Sequence, residues 1–223
     1  MKMEQRTYEW YRARLGQFNA STIADLMVKG RGKDETFGKT AMAVINQVAF
    51  ERMLNPAIVE DDDVLGEYLE QTDVQTRAMR WGVENEPIAR NLYMMSTNVD
   101  VTETGSVSHP GLPCLSASPD GLVGDDGLVE IKCVGSASFM RYLEVSDADT
   151  LKAIEPKYYW QVMTQMAVTN RQWCDFVVYN PFVVEPLHVA RIDRNDADIA
   201  TLLERVVLAD ELVESIIDKY TTK

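Results

Sequence analysis

The chain is poor in cysteine and in basic residues, and it has no long apolar run. Its three cysteines, Cys114, Cys133 and Cys174, are scattered and odd in number. That excludes a disulfide framework or a zinc site and fits the reduced, mostly buried thiols of a cytoplasmic protein. Three thiolates also fall short of the four that an iron–sulfur cluster takes. No apolar stretch has membrane-spanning length, so no membrane partner is expected. Behind Met1-Lys2-Met3-Glu4-Gln5-Arg6 there is no apolar signal core, and the sequence therefore predicts no secretion. With 22 Lys and Arg against 35 Asp and Glu, the formal charge is −13. Surfaces that hold nucleic acid non-specifically are normally basic, so tight binding of that kind is not expected. An anionic substrate is not excluded, because a bound cation offsets its own carboxylates and a groove focuses local charge. Many of the acids also cluster apart, in Glu60-Asp61-Asp62-Asp63 and between Asp193 and Asp218.

At 223 residues, 46% hydrophobic and 26% charged, the chain has the composition of a globular protein. It can bury a substantial core, and one domain over residues 1–223 is expected. Its organising stretch is Ser118-Pro119-Asp120-Gly121-Leu122, followed by Leu128-Val129-Glu130-Ile131-Lys132-Cys133. Gly121, Gly124, Asp125, Asp126 and Gly127 supply turn chemistry between two short strands. On an extended strand Glu130 and Lys132 leave by one face, about 6.6 Å apart, while Val129 and Ile131 point into a core. Asp120 and Glu130 are oxygen ligands of the kind a hard divalent cation takes, and Mg²⁺ often needs only one or two such carboxylates. A lysine beside a metal-bound water can orient or stabilise hydroxide, and its pKa falls readily on partial burial. A carboxylate pair with a cation beside it suggests metal-assisted phosphodiester hydrolysis. The plainer alternative is a surface hairpin in which Glu130 and Lys132 pair in solvent.

Around this hairpin the sequence predicts a short helix from Thr7 to Arg14, broken at Gly16. A second helix is capped by Asn19 or Ser21 and runs to about Val28. Arg14 beside that helix start makes either an anion site or a simple N-cap with a surface arginine. Gly30-Arg31-Gly32-Lys33 is a basic loop, not a P-loop, and serves as a backbone contact or a solvated linker. A helix from Thr36 to Leu54 ends at Pro56, and Glu60 to Asp63 reads as a solvated turn. A long helix from Val74 to Thr97 contains Pro87, which could kink or divide it. Glu86 on that helix is either an exposed glutamate or a further ligand facing the hairpin. Strands follow over Val99–Val107, Pro113–Ala117 and Leu128–Cys133, then helices over Ala137–Val145 and Pro156–Thr169. Gln161 and Gln165 share one face of the latter, so they face solvent or support the site. Two strands, Trp173–Tyr179 and Val183–Ile192, precede an amphipathic helix from Ala197 to Tyr220.

Taken in order, several segments resemble the lambda exonuclease (YqaJ-type) recombination nucleases of the PD-(D/E)xK superfamily. They are Trp10…Arg14-Leu15-Gly16…Ala20-Ser21, then Arg80-Trp81-Gly82…Glu86…Ala89-Arg90, and the central Ser118–Leu122 and Glu130–Cys133 stretches. Gln161-Val162 completes the set, so the resemblance runs from about Trp10 to Tyr179. It implies an α/β (α+β) restriction-endonuclease-like core: a central mixed β-sheet flanked by helices, with the hairpin near its centre. The implied activity is 5′-to-3′ digestion of one strand of linear duplex DNA from a 5′-phosphorylated end. A 3′ single strand is left for an annealing protein.

By the same resemblance Asp120, Glu130, Glu86 and the Ile131 carbonyl are metal ligands, and Lys132 and Gln161 are catalytic. Arg14 and Ser21 match residues that hold the 5′-phosphate. Two Mg²⁺ ions, replaceable by Mn²⁺, and a homotrimeric ring are implied as well. The mechanism would be two-metal in-line hydrolysis, with ions roughly 3.5–4 Å apart. Met79 could wedge between the strands or simply pack in the core. The chain departs from the pattern at Ser108-His109-Pro110, where another acid can stand, and at Gln165, where related nucleases often carry tyrosine. Two other functions fit the same residues: an endonuclease on this fold, and a DNA-end-binding module without catalysis.

Overall fold

A computed structural model describes residues 3–30, 32, 35–72 and 76–221. The chain opens with α1 (Tyr8–Arg12), whose N-cap Thr7 accepts the Trp10 N–H. After Gly16, held at φ +70°, come β1 (Phe18–Asn19), a 3₁₀ turn (Ala20–Thr22) and α2 (Ile23–Leu26). The helix expected from this region to about Val28 is thus a tight turn followed by four residues. Helix α3 (Lys39–Arg52) buries Ala41, Ile45, Val48 and Ala49.

Pro56 does not merely follow that helix. It opens α4 (Pro56–Glu60), with the Asn55 side chain accepting the Ala57 N–H. Proline suits that first position because its missing N–H has no helical partner there. The acidic run then starts α5 (Asp62–Thr72) instead of forming a free turn. Asp61 accepts the N–H groups of Asp63 and Val64, and Asp62 and Asp63 lie in the first turn, where negative charge is favoured. Helix α6 (Arg77–Thr97) runs unbroken through Pro87 and stops at Asn98, whose φ is 54°.

Strands β2 (Val101–Thr102), β3 (Val107–His109), β4 (Leu112–Ala117), β5 (Gly121–Val123) and β6 (Gly127–Cys133) follow. A crossover of α7 (Ser136–Tyr142), α8 (Ala148–Ile154) and α9 (Pro156–Thr169) leads to β7 (Trp173–Tyr179). The α8 start has its own signal, an Asp147–Thr150 capping box. The chain closes with β8 (Leu187–Asp193) and α10 (Asp196–Thr221).

The strands form two sheets: a five-stranded one in the order β2-β5-β6-β7-β8, and a three-stranded one in the order β1-β4-β3. The five-stranded sheet is mixed, as expected, because β6 and β7 pair in parallel while its other pairings are antiparallel. Its middle strand is β6, so the hairpin does lie at the centre. The second sheet is an addition to the single sheet expected.

Strand β6 is covered on both sides. Leu128 joins a core with Tyr159, Val162 and Met166 of α9, while Val129 and Ile131 join another with Ala89 and Tyr93 of α6. The β5–β6 turn is closed by Gly124 at φ +51° and braced by Arg171, which donates to the carbonyls of Val123, Gly124 and Gly127. Gly121 is needed for close approach: a Cβ there would lie 2.1 Å from Cγ1 of Val101 on β2.

Candidate active site

The alternation of β6 sends Glu130 and Lys132 toward α9. Lys132 Nζ donates to Glu130 Oε1 at 2.6 Å and lies 3.5 Å from Gln161 Oε1. Gln161 Nε2 donates to the same Glu130 oxygen at 2.6 Å, and Gln165 Nε2 donates to Oε2 at 2.6 Å. The two amides therefore face the site, not solvent. Their i, i+4 spacing brings them to one carboxylate. Glu130 is only 1% exposed, so pairing in solvent does not describe it.

Lys132 also sits 4.4 Å from the centroid of the Tyr158 ring. Burial pulls its pKa down, but the charge of Glu130, with Tyr158 and Asp120, more than offsets this. The fall expected from partial burial does not occur. The ammonium stays charged and donates hydrogen bonds.

Asp120 stands at the entry to β5 and accepts the backbone N–H of Ile131 at 2.7 Å. This ties it to the residue between Glu130 and Lys132. Burial, followed by the charges of Glu130 and Glu86, pushes its carboxyl well above the ordinary range. Lys132 and the Ile131 N–H act in the opposite sense but do not restore it. The cluster has more negative than positive charge, a donor set that fits a divalent cation.

Glu86 comes from α6 and is engaged elsewhere. Arg6 Nη2 reaches its Oε2 at 2.9 Å and Arg90 Nη2 its Oε1 at 2.6 Å. Its charge is felt at Asp120 and Cys133, yet arginines hold both its oxygens. Among the described residues no three His, Cys, Asp or Glu side chains are grouped to hold an ion. The structure brings together Asp120, the Ile131 backbone, Glu130, Lys132 and Gln161, and leaves Glu86 at their margin.

A second polar cluster borders the first. Arg14 Nη1 donates to the Ser118 hydroxyl at 3.1 Å, Trp10 Nε1 donates to it at 2.9 Å, and the guanidinium lies 4.2 Å from the Trp10 ring centroid. Among the described residues no carboxylate is within ion-pair distance of Arg14. Burial lowers its pKa to about 10, against the raising effect of Glu51 and Tyr11. A poorly solvated cation without a counter-ion is a fitting seat for an anion.

Asn19 links this corner to the rest, donating to the Arg14 carbonyl at 3.3 Å and accepting from Ser116 at 2.9 Å. Ser21 is exposed and makes no side-chain hydrogen bond among the described residues. The local helix is too short for a strong dipole, which leaves the Arg14 guanidinium as the positive charge of this corner. The sequence assigns Ser118 no role, and the structure supplies one. Its place two residues before Asp120 is the signal that could have found it. Met79 is 53% exposed, so core packing does not account for it. Arg31 and Lys33 of the basic loop lie outside the described residues.

The sequence profile of the YqaJ-like viral recombinase domain matches residues 9–172. An alkaline exonuclease from Laribacter hongkongensis is 34% identical, with a TM-score of 0.76 covering 97% of this chain and 97% of that chain. The same exonuclease in complex with dAMP is 33% identical, with a TM-score of 0.75 over 96% of this chain and 95% of that one. An uncharacterized protein of Acanthamoeba polyphaga mimivirus is 33% identical over 113 residues, 47% of this chain. Those residues make up 20% of the viral protein, so the match spans about a fifth of that relative's length.

Proposed function

Because the chain belongs to the family of YqaJ-like viral recombinase domains, we propose that it is a Mg²⁺-dependent exonuclease acting on linear duplex DNA. It removes nucleotides from one strand in the 5′-to-3′ direction, starting at a 5′-phosphate. The observation that supports this best is the linked set Asp120–Ile131–Glu130–Lys132, closed by Gln161. The likeness to an alkaline exonuclease over nearly the whole chain points the same way.

Asp120, Glu130 and the Ile131 carbonyl would hold the cation, and Glu86 would join them only by sharing its arginines. The bound ion, or ion pair, would polarise the scissile phosphate and supply an activated water. Lys132, charged and held between Glu130 and Gln161, would direct its remaining donor at the attacking oxygen or the phosphate and stabilise developing negative charge. Gln161 keeps Glu130 and Lys132 in register. A P–O bond forms to the water oxygen and the P–O3′ bond breaks, the departing O3′ taking up a proton. The freed nucleotide keeps its own 5′-phosphate, and the shortened strand acquires a new one.

That new phosphate is what Arg14 and Ser118 would receive, joined by Ser21. The end is thereby re-anchored after each cleavage. A deoxymononucleotide such as dAMP, present in one related structure, is the kind of product this digestion releases. We extend the proposal to a homotrimeric ring that encloses the duplex and passes the 3′ strand to an annealing protein. Exposed Phe182 and Val184 offer apolar surface for such assembly.

The test is a linear duplex phosphorylated at one 5′ end, incubated with Mg²⁺ or EDTA. A closed circle and Lys132→Ala serve as controls. Mg²⁺-dependent loss of the phosphorylated strand alone, absent in the variant, is the expected result. Cutting of the circle would instead identify an endonuclease, and binding without cutting a DNA-end-binding module.

A further inference from the structure

Gln165 lies one helical turn beyond Gln161 on α9, is fully buried, and donates from Nε2 to Glu130 Oε2 at 2.6 Å. Its own Oε1 is buried and without a hydrogen-bond partner among the described residues. We propose that Gln165 is a positioning residue that fixes the Glu130 carboxylate and presents Oε2 to the divalent cation; this rests on the nuclease function proposed above.

The lone pairs decide which oxygen is available. A carboxylate oxygen has about two acceptor sites. Oε1 receives both Lys132 Nζ and Gln161 Nε2 at 2.6 Å, which fills them. Oε2 receives Gln165 alone and keeps one free. With both other donors on one oxygen, the carboxylate could still pivot about its terminal torsion, which is intrinsically soft. The third donor, on the opposite oxygen, removes that freedom.

The orphaned Oε1 shows what the amide is there for. Glutamine at this position leaves a buried acceptor unsatisfied, a cost that methionine of similar length would avoid while filling the same space. The amide is retained in this orientation by a charge-assisted bond to Glu130, and the reversed orientation would set its oxygen against the carboxylate. Packing alone does not call for it.

The experiment compares wild type with Gln165→Met, which keeps the volume without a donor, and Gln165→Asn, whose amide stops one methylene short. Mn²⁺ binding to the DNA-free protein is measured by titration calorimetry. The Mg²⁺ dependence of single-turnover cleavage and the unfolding midpoint of the metal-free protein are measured alongside. Loss of a partner that orients a metal ligand typically weakens affinity about 10–100-fold. Both variants should show a weakening of that order, with a matching rise in the Mg²⁺ needed for half-maximal rate and a metal-free fold that persists. Wild-type Mn²⁺ affinity in Gln165→Met overturns the proposal, as does a lowered unfolding midpoint with unchanged affinity. Should Gln165→Met fail to fold, Gln165→Asn decides by the same criterion. If wild type itself neither binds Mn²⁺ nor digests DNA, the nuclease function falls and this inference with it. If wild type does both and the variants match it, only the inference falls.

Discussion

Arg14 donates to the Ser118 hydroxyl at 3.1 Å, joining segments 104 positions apart in the chain. The contact sets a cation with no carboxylate partner among the described residues two positions before Asp120. An anion bound there would be adjacent to the acidic site yet separate from its carboxylates.

Arg14→Ala should reduce cleavage of a 5′-phosphorylated end about 10- to 100-fold, the range expected for losing a charge-assisted contact. A 5′-hydroxyl end should be affected much less. Initial rates on the two substrates check this, and equal losses on both would remove Arg14 from the phosphate site.

Lys132→Ala should lower the single-turnover rate roughly 10²- to 10³-fold, the usual effect of removing a donor aimed at developing negative charge. Duplex binding, followed by fluorescence anisotropy, should remain close to wild type. Loss of binding in step with rate would assign Lys132 to substrate affinity instead of chemistry.

Metal-free stability should depend on pH through Asp120. Burial, then Glu130 and Glu86, raise its carboxyl well above the ordinary 3.8 on folding. Below that ordinary value the contribution to stability is complete, and it is lost as pH rises through the folded value, because the native state binds the extra proton. In EDTA, thermal unfolding of wild type should fall with rising pH above about 4. Asp120→Asn should flatten this slope and stabilise the metal-free protein at neutral pH while abolishing digestion. A wild-type slope in the variant would contradict the assignment.

Tyr93, fully buried on α6, donates to Asp175 Oδ2 at 2.7 Å, and Arg191 pairs with the other oxygen at 2.5 Å. The network clamps the helix carrying Glu86 onto β7. Tyr93→Phe should cost about 1.5–3 kcal/mol, the usual worth of a hydrogen bond to a charged group. Urea unfolding measures it, and a loss under about 0.5 kcal/mol would show that packing alone holds α6.

Much of the local structure was legible because its causes lie within a few residues. Helix α9 begins at Pro156 and ends at Thr169, as periodicity and the proline indicate. The two-residue spacing of Glu130 and Lys132 puts them on one face of any strand. The helices α4, α5 and α8 were missed although Asn55-Pro56, Asp61 and Asp147–Thr150 are recognisable starts. In α4 and α8 capping carries the signal, whereas α5 also repeats Val64, Leu65, Tyr68 and Leu69 at helical spacing.

By itself, then, the sequence determined the central hairpin, the facing of its side chains and the element types around it, since backbone period and turn chemistry are local. Tertiary structure alone decided the rest. It put Gln165 on Glu130 across 35 positions and Arg6 on Glu86 across 80. It also turned the Ser118 hydroxyl toward Arg14 and separated the strands into two sheets. These outcomes depend on which buried charges and donors meet when distant elements pack, and on the desolvation that obliges each of them to find a partner.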